Sequence, residues 1–174
     1  MLLRGINVGV STRVNMQVMR KDLKELGFKE VTTYINSGNV FFETDIKLDK
    51  IYKVVNKYFS DNYKTNIPFL ILNKNKVIEV SKAIPTNWKN DLNEKTDVLY
   101  LFDEVNNMEI IKNIPVNLKY INYKYIDGAL IINLKRKNYN KSKINNLIKS
   151  NIYKFITIRN VNTARKAGAI ISSK

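Results

Sequence analysis

The sequence contains no cysteine and no histidine, and these two absences remove much familiar catalytic chemistry. Without cysteine the chain has no disulfide, no thiolate nucleophile and no cysteine-ligated zinc site. Without histidine it lacks the side chain best suited to proton transfer near neutral pH, so a general base would be Asp, Glu, Lys or Tyr with a shifted pKa. The sequence therefore predicts neither a metal site nor a cofactor, and hydrolytic chemistry has no support.

Glycine, proline and long apolar runs are also scarce. The 174 residues include six glycines and three prolines, and 44% of them are hydrophobic, which is typical of a globular chain rather than a disordered or fibrous one. No apolar run approaches the length of a membrane span, and the N-terminus lacks the apolar segment of a signal peptide. We therefore expect a cytoplasmic protein with no membrane partner.

Acidic residues are missing from both ends of the chain, although the formal net charge is +15. Residues 22–127 are neutral, with 15 basic and 15 acidic side chains, whereas residues 1–21 carry four basic and residues 128–174 eleven basic side chains with no carboxylate. A composition rich in Lys, Asn and Ile is expected from an AT-rich genome and explains many lysines. It does not explain the missing carboxylates, so these acid-free ends indicate an anionic partner.

Hydrophobic spacing in the first 73 residues predicts the order β-α-β-β-α-β. The predicted elements are a strand ending near Arg4, a helix from about Asn15 to a stop at Gly27, strands at 31–35 and 40–42 joined by a hairpin turn at 36–39, a helix at 48–59 and a strand at 67–72. This order is the ferredoxin-like pattern.

The second half predicts a similar but less regular succession. Its predicted elements are a helix at 74–83, a strand at 98–102, a short helix at 108–112, strands at 118–126 and 129–134 flanking Asp127-Gly128, a helix around 144–152, a strand at 156–158 and a terminal helix capped by Asn162 or Thr163. No linker rich in Gly, Pro or Ser separates the halves. We predict an α+β protein of two ferredoxin-like (βαββαβ-type) subdomains packed together, residues 1–73 and 74–174.

Three separated motifs, Leu2–Gly9, Thr33–Phe42 and a late group at 142–144 and 157–163, resemble the bacterial family called domain of unknown function 1697. The resemblance implies a fold of two ferredoxin-like subdomains and no particular reaction, because that family has no assigned activity. The chain departs from the family pattern in carrying Val10 in place of a glycine and Val161 in place of a tryptophan. It also begins close to the first motif, so we expect either a short first strand or a misassigned start codon.

The loop from Arg4 to Gly9 is the first candidate site. Gly5 and Gly9 permit backbone conformations that let amide N–H groups converge on an anion, and Arg4 adds a bidentate contact to phosphate or carboxylate. The loop is neither a P-loop nor a dinucleotide fingerprint. The alternative is a tight strand-to-helix connection in which Arg4 pairs with a carboxylate and Asn7 bonds to the backbone.

Further candidates combine cations with small hydrogen-bonding side chains at predicted helix starts, a chemistry suited to oxyanions. They are Lys141, Ser142, Lys143, Arg159 and Asn160. Their alternative role is helix capping beside solvated lysines. Weaker candidates are Ser37 and Asn39, which the hairpin turn itself would require, and Asn162 and Thr163.

Tyrosines in the predicted strand at 118–126 invite comparison with readers of single-stranded RNA, which stack bases on sheet aromatics. Tyr123 and Tyr125 alternate with polar residues and share a face with Ile121. We therefore expect both tyrosines in the core rather than on a base-stacking surface.

Three functions remain open from the residues alone. The first is a binding module for a phosphate-bearing ligand, with nucleic acid as the leading candidate, on a basic surface formed by the acid-free ends. The second is an enzyme for a small anionic metabolite or nucleotide, in which Arg4, Asn7, Lys143, Arg159 and Asn160 converge on a pocket. The third is a structural or interaction protein whose motifs brace the two subdomains.

Overall fold

A computed structural model describes residues 1–7, 12–63 and 65–173. Its contacts divide the chain into two compact units, Met1–Leu72 and Asn73–Lys174, called here the first unit and the second unit. Each unit contains a four-stranded antiparallel sheet together with helices, so the predicted α+β class is confirmed. Among the described residues, the helices are too short and too polar to cross a membrane.

The first unit follows the predicted element order. Its elements are β1 (Leu2–Leu3), α1 (Met16–Glu25), β2 (Lys29–Tyr34), β3 (Asn39–Glu43), α2 (Leu48–Asn62) and β4 (Phe69–Leu70). The strand order is β2-β3-β1-β4, and neighbouring strands are antiparallel. The strand predicted at 67–72 is shorter than expected, because β4 pairs only with the two residues of β1.

Two amphipathic helices form the core of the first unit with one face of its sheet. Apolar residues recur at helical spacing on α1 and α2 and pack with strand residues. The helical members of this core are Met16, Met19, Leu23, Ile51, Val55, Tyr58 and Phe59. Gly27, with φ of +92°, follows α1 as predicted and lets the chain turn into β2. The core thereby fixes where α1 begins and where β1 ends.

The second unit has the same relative strand order. Its elements are α3 (Lys74–Ala83), β5 (Glu94–Leu101), α4 (Ile110–Asn113), β6 (Asn122–Ile126), β7 (Ala129–Lys135), α5 (Asn146–Lys149), β8 (Ile156–Asn160) and α6 (Val161–Ser172). The sheet order is β6-β7-β5-β8, again antiparallel throughout. Counted within each unit, the first to fourth strands therefore occupy the same positions in both sheets.

Both faces of the second sheet are buried. Leu130, Ile132 and Leu134 of β7 belong to a core that includes residues of α4 and α5, while Ile131, on the opposite face, is fully buried as well. Helix α6 contacts β5 and β8 and packs against α3. This sheet therefore lacks the open face on which RNA readers stack bases.

Two predicted elements of the second unit are shorter than expected. The strand predicted at 118–126 starts as a 3-10 turn, Leu118–Tyr120, because Asn117 accepts a side-chain hydrogen bond from the Lys119 amide and turns the chain. The helix predicted at 144–152 is only α5 followed by the 3-10 segment Asn151–Phe155. It ends at Ser150, whose backbone is extended and whose hydroxyl donates to the Leu147 carbonyl at 2.7 Å.

The prediction that both tyrosines lie in the core is wrong for Tyr123, whose exposed fraction is 44%. Strand β6 lies at the edge of the sheet, so the outer part of this strand is not covered. Tyr125, nearer the hairpin turn, is partly buried against the second core, and Ile121 is buried. The alternation of residues along the strand predicts that the two tyrosines share a face. Their exposure depends instead on the position of β6 at the edge of the sheet.

Candidate anion-binding site

The loop after β1 and the turn between β2 and β3 meet at one end of the first sheet. The Leu3 amide donates to the Gly38 carbonyl at 2.8 Å, and Asn7 Nδ2 donates to the Asn36 carbonyl at 2.9 Å. The structure therefore brings two candidate segments together, Arg4 to Asn7 and Ser37 to Asn39. Gly9, the last candidate of the first loop, lies outside the described residues.

Asn7 fixes the conformation of its loop. Its backbone has a φ of +55°, a region that asparagine tolerates better than most residues. Besides the bond to Asn36, its Nδ2 donates to the Val14 carbonyl at 2.9 Å, and its Oδ1 accepts from the Val14 amide at 2.8 Å. Both ends of the side-chain amide are thus engaged within the chain, which fits the bracing role better than a ligand contact.

The turn at 36–39 is likewise held by contacts within the chain. Gly38 has a φ of +80°, and a Cβ atom there would lie 2.6 Å from the Leu3 Cβ atom, so only glycine permits this close approach. Asn39 is fully buried, and its Nδ2 donates to the Tyr34 carbonyl and to Ser37 Oγ, both at 3.0 Å. Ser37 and Asn39 therefore stabilise the hairpin, and Asn39 is not accessible to a ligand.

Arg4 and Gly5 line a pocket of about 380 Å³, together with Thr12 and residues 65–68. The Arg4 amide donates to the Pro68 carbonyl at 2.8 Å, and the Asn7 amide donates to the Thr12 carbonyl at 3.0 Å. These two N–H groups are therefore not available to converge on an anion. From this loop, Arg4 and Gly5 line the pocket.

A larger pocket, of about 580 Å³, lies at the start of α1. Its lining residues are Asn7, Arg13, Val14, Asn15, Met16, Gln17 and Asn36. Asn15 caps the helix, since its Oδ1 accepts from the Gln17 and Val18 amides at 3.0 and 3.2 Å. Arg13 is exposed, and the first turn of α1 carries no acidic residue, so the positive end of the helix dipole adds to the arginine charge.

Among the lining residues of this pocket, sequence reasoning named only Asn7 as a site candidate and missed the others, including Arg13 and Asn15. Arg13 belongs to the acid-free N-terminal end, and an asparagine directly before an apolar helical stripe is a recognised capping signal. What the sequence did not reveal is that the helix start lies beside Asn36, which is distant in the chain. The pocket is therefore a product of tertiary contacts rather than of one motif.

In the second unit, the group Lys141 to Lys143 forms a turn before α5. Ser142 is fully buried, and its hydroxyl donates to the Tyr139 carbonyl at 2.6 Å and accepts from the Ile144 amide at 3.3 Å. Lys141 and Lys143 are exposed on either side, and Lys143 has a φ of +56°. Ser142 therefore anchors the turn, while the two lysines reach solvent.

Arg159 lies on β8 and is only 7% exposed. Its Nη1 donates to Thr157 Oγ1 at 3.0 Å and to the Ile158 carbonyl at 2.8 Å. Burial lowers the pKa of Arg159 to about 10, against a smaller opposing effect of Tyr100, so the guanidinium stays charged at neutral pH. Because Arg159 is buried and hydrogen-bonded within the chain, it is better suited to stabilising β8 than to forming part of an exposed binding surface.

The remaining candidates lie at the start of α6. Asn160 caps this helix, with Oδ1 accepting from the Thr163 amide at 2.9 Å, so the expected caps Asn162 and Thr163 are wrong by two or three residues. The helix begins directly after β8 because Asn160 takes the extended backbone that a cap requires. Asn160 and Asn162 are exposed, and Thr163 is buried.

The candidates thus form one group in the first unit and two in the second. Within the described residues, no cluster of three or more His, Cys, Asp or Glu side chains has the geometry to hold a metal ion. The chemistry on offer is that of cations, amides and hydroxyls, which suits recognition of an oxyanion.

The sequence profile described as "Protein of unknown function (DUF1697)" matches residues 1–121. The chain belongs to the DUF1697 family. The suspected resemblance is thereby confirmed, and the matched range includes the loop from Arg4 and the turn at 36–39, whereas the late motifs at 142–144 and 157–163 lie beyond it.

The chain is also similar to a solved structure. The chain resembles the conserved bacterial protein SP0830 from Streptococcus pneumoniae, with a TM-score of 0.84 and 28% identity over 98% of this chain and 96% of that one. Comparison with the curated proteins gives no match.

Proposed function

We propose that this DUF1697 protein binds a phosphate-bearing ligand, with nucleic acid as the leading candidate, through the cations of its acid-free ends. The observation that carries the proposal is the pocket at the start of α1, where Arg13 lies beside a helix N-terminus in a stretch without carboxylates. A phosphate oxyanion complements both the guanidinium and the helix dipole. The cytoplasm, rich in nucleic acids and phosphorylated metabolites, is the proposed location.

The bracing role of Asn7 supports this site rather than competing with it. Its hydrogen bonds to the Val14 and Asn36 backbone hold the wall of the pocket in one shape. A binding group held by a rigid wall loses less conformational entropy when a ligand arrives. Asn7 is therefore proposed as a positioning residue, with Arg13 as the contact residue and Arg4 serving the neighbouring pocket.

We also propose that each unit is a ferredoxin-like subdomain. The order of the four strands within each sheet and their antiparallel pairing support this assignment. The second unit adds α3 before its first strand and α6 after its last. The predicted packing of the two subdomains on each other, with a boundary near Asn73, belongs to the same proposal.

Binding of mixed DNA and RNA across a salt series tests the proposed function. With about four phosphate contacts, affinity should fall about 100-fold between about 50 and 200 mM salt, because released counterions oppose binding. Arg13→Gln should weaken binding and Arg13→Lys should restore part of it. Lys53→Gln is the matched control, since Lys53 is exposed on α2 of the same unit. Absent binding at low salt, or binding insensitive to salt, contradicts the proposal.

The second candidate function is an enzyme acting on a small anionic metabolite or nucleotide. A pocket of about 580 Å³ favours it, because that volume lies within the usual range for small-molecule sites. Calorimetry with inorganic phosphate and a nucleoside monophosphate separates the two functions. Tight binding of the small ligand without preference for the polymer favours the enzyme, and the reverse favours the nucleic-acid module.

The third hypothesis, a structural or interaction protein, also has specific support. Asn7, Asn39 and Ser142 each direct their side chains to backbone groups of the chain, which is what bracing motifs do. These residues are therefore proposed to shape the fold, while exposed cations carry any binding. If the wild-type protein bound neither the polymer nor the small ligands, only the structural or interaction role would remain.

A further inference from the structure

The last residue of β7 and the connection from β7 to β8 together expose six lysines that pair with no carboxylate in the part of the chain that the structure describes. We call them the lysine ridge: Lys135, Lys137, Lys141, Lys143, Lys149 and Lys154. Some exposed lysines elsewhere, such as Lys57 and Lys112, form ion pairs with Asp61 and Glu109, and others, such as Lys74, form none among the described residues. The ridge therefore concentrates positive charge that nothing on its own segment neutralises.

Buried residues between the lysines hold the ridge in a fixed path. Ser142, Ile144 and Leu147 are buried, and the two apolar ones belong to the second core. They alternate with exposed lysines, so the segment is packed on one side and charged on the other. The lysine ridge is therefore part of the folded second unit, unlike the lysines of a basic tail.

The ridge must run the length of the second sheet. Strands β7 and β8 are both antiparallel to β5, so they are parallel to each other and their connection returns from one end of the sheet to the other. For a strand of seven residues this distance is about 20 Å, at about 3.3 Å per residue. Lys135 ends β7 and Lys154 lies just before β8, so the ridge begins and ends at opposite ends of the sheet, a span of about six phosphates of one nucleic acid strand.

We propose that the lysine ridge binds the phosphate backbone of a nucleic acid duplex along about six base pairs. This inference rests on the proposed function, in which the ligand carries phosphate, and it identifies the polymer and a second contact surface. Six unneutralised like charges repel one another, and a polyanion relieves that repulsion as it releases its own counterions.

The aromatic residues of the segment favour a duplex over a single strand. Tyr139, Tyr153 and Phe155 are all partly buried, and Lys154 Nζ lies over the Phe155 ring at 4.8 Å. Proteins that bind single strands without sequence preference stack bases on exposed aromatic rings. The segment offers no fully exposed ring, so its contacts are to phosphates, which a duplex presents without unstacking.

The test compares two triple variants of the full chain. The ridge variant is Lys135→Gln, Lys141→Gln and Lys149→Gln, and the charge-matched control is Lys74→Gln, Lys82→Gln and Lys89→Gln, three exposed lysines of the neutral middle. Each is titrated with DNA and RNA duplexes longer than the ridge and with single strands, across a salt series. The ridge variant should lose at least about tenfold in duplex affinity at about 100 mM salt, and its salt slope should fall by about 2.7.

Equal losses in the two variants, or a wild-type preference for single strands, would overturn the inference. Circular dichroism of both variants checks that they are folded. The two proposals fail differently: if the wild type binds no phosphate-bearing ligand, the proposed function falls. If it binds duplex and the ridge variant binds equally well, only the ridge is refuted.

Discussion

Asn7 Nδ2 donates to the main-chain carbonyl of Asn36 at 2.9 Å, tying the loop after the first strand to the central hairpin of its unit. Asn106 does the same in the second unit, where its Nδ2 donates to Asp127 Oδ1 and its Oδ1 accepts from the Gly128 amide, both at 2.8 Å. Each unit thus uses an asparagine after its first strand to hold the turn between its second and third strands.

The two positions differ in charge. In the second unit, Lys76 Nζ lies 2.6 Å from Asp127 and 2.8 Å from Glu79, and the hydrogen bond from Lys76 lowers the pKa of Asp127. The cation is therefore neutralised by carboxylates of its own unit. In the first unit, the corresponding loop and helix start carry Arg4 and Arg13 within an acid-free stretch. The two equivalent positions therefore differ in the sequence around them, since only the second has acidic residues in its own segment.

Replacing Asn7 by alanine removes three side-chain hydrogen bonds to backbone groups. We expect the free energy of unfolding to fall by about 2 kcal/mol, measured by urea denaturation, because each lost bond is worth about 1 kcal/mol and some groups regain water. Gln17→Ala, at an exposed lining position of the same pocket, should change stability by less than about 0.5 kcal/mol. Equal effects of the two variants would show that Asn7 does not brace the loop.

Two glycines with positive φ should respond differently to alanine. At Gly38 the new Cβ atom would meet the Leu3 Cβ atom at 2.6 Å, whereas at Gly27 it would meet no atom within 4 Å. Gly38→Ala should lower the free energy of unfolding by about 3 kcal/mol, and Gly27→Ala should lower it by about 1 kcal/mol. Both substitutions strain a backbone with positive φ, and only the first adds a clash. Thermal denaturation of both variants measures the two losses of stability. A smaller loss for Gly38→Ala than for Gly27→Ala would contradict the close contact between Gly38 and Leu3.

The contact between α3 and α6 predicts strong coupling between two small residues. A Cβ atom on Gly168 would clash with the Ser81 side chain, so Gly168→Ala should destabilise the second unit by about 2 kcal/mol. Ser81→Gly removes the obstructing side chain, and the double variant should recover at least half of that loss. A double-mutant cycle by chemical denaturation measures the coupling, and strictly additive effects would refute the close helix contact.

Stability should fall in alkali through Tyr58. Burial and hydrogen bonds with Tyr63 and Asp22 raise the pKa of Tyr58 well above its ordinary value, so the folded protein keeps a proton that the unfolded chain loses above about pH 10. The stabilisation is complete below that pH and is lost as pH rises further. Between pH 9 and 11, the free energy of unfolding of Tyr58→Phe should fall by about 1 kcal/mol less than that of the wild type. Identical pH profiles would contradict this role.

Local patterns predicted the elements that local chemistry controls. Helix α3 has its predicted bounds, 74–83, because Asn73 caps it and Pro85 follows soon after its end. Helix α5 was predicted too long, since apolar spacing continues past Ser150 while the backbone does not.

The candidate site was only partly predictable, because burial and neighbours depend on distant parts of the chain. Ser142 and Lys143 look alike as polar residues near a helix start, yet one is fully buried and the other exposed. Tyr123 is exposed because β6 is an edge strand, a fact set by the sheet order. The pocket at α1 needed Asn36 to approach Asn7, which no local pattern indicates.

Titration of the isotope-labelled protein with inorganic pyrophosphate, followed by amide chemical shifts, tests the central claim most directly. Shifts should concentrate at residues 4–7, 12–18 and 36–39, and Arg13→Gln should abolish them while Lys53→Gln leaves them unchanged. Pyrophosphate that moves none of these amides, or that moves them equally in the Arg13→Gln variant, would contradict a phosphate site at the start of α1.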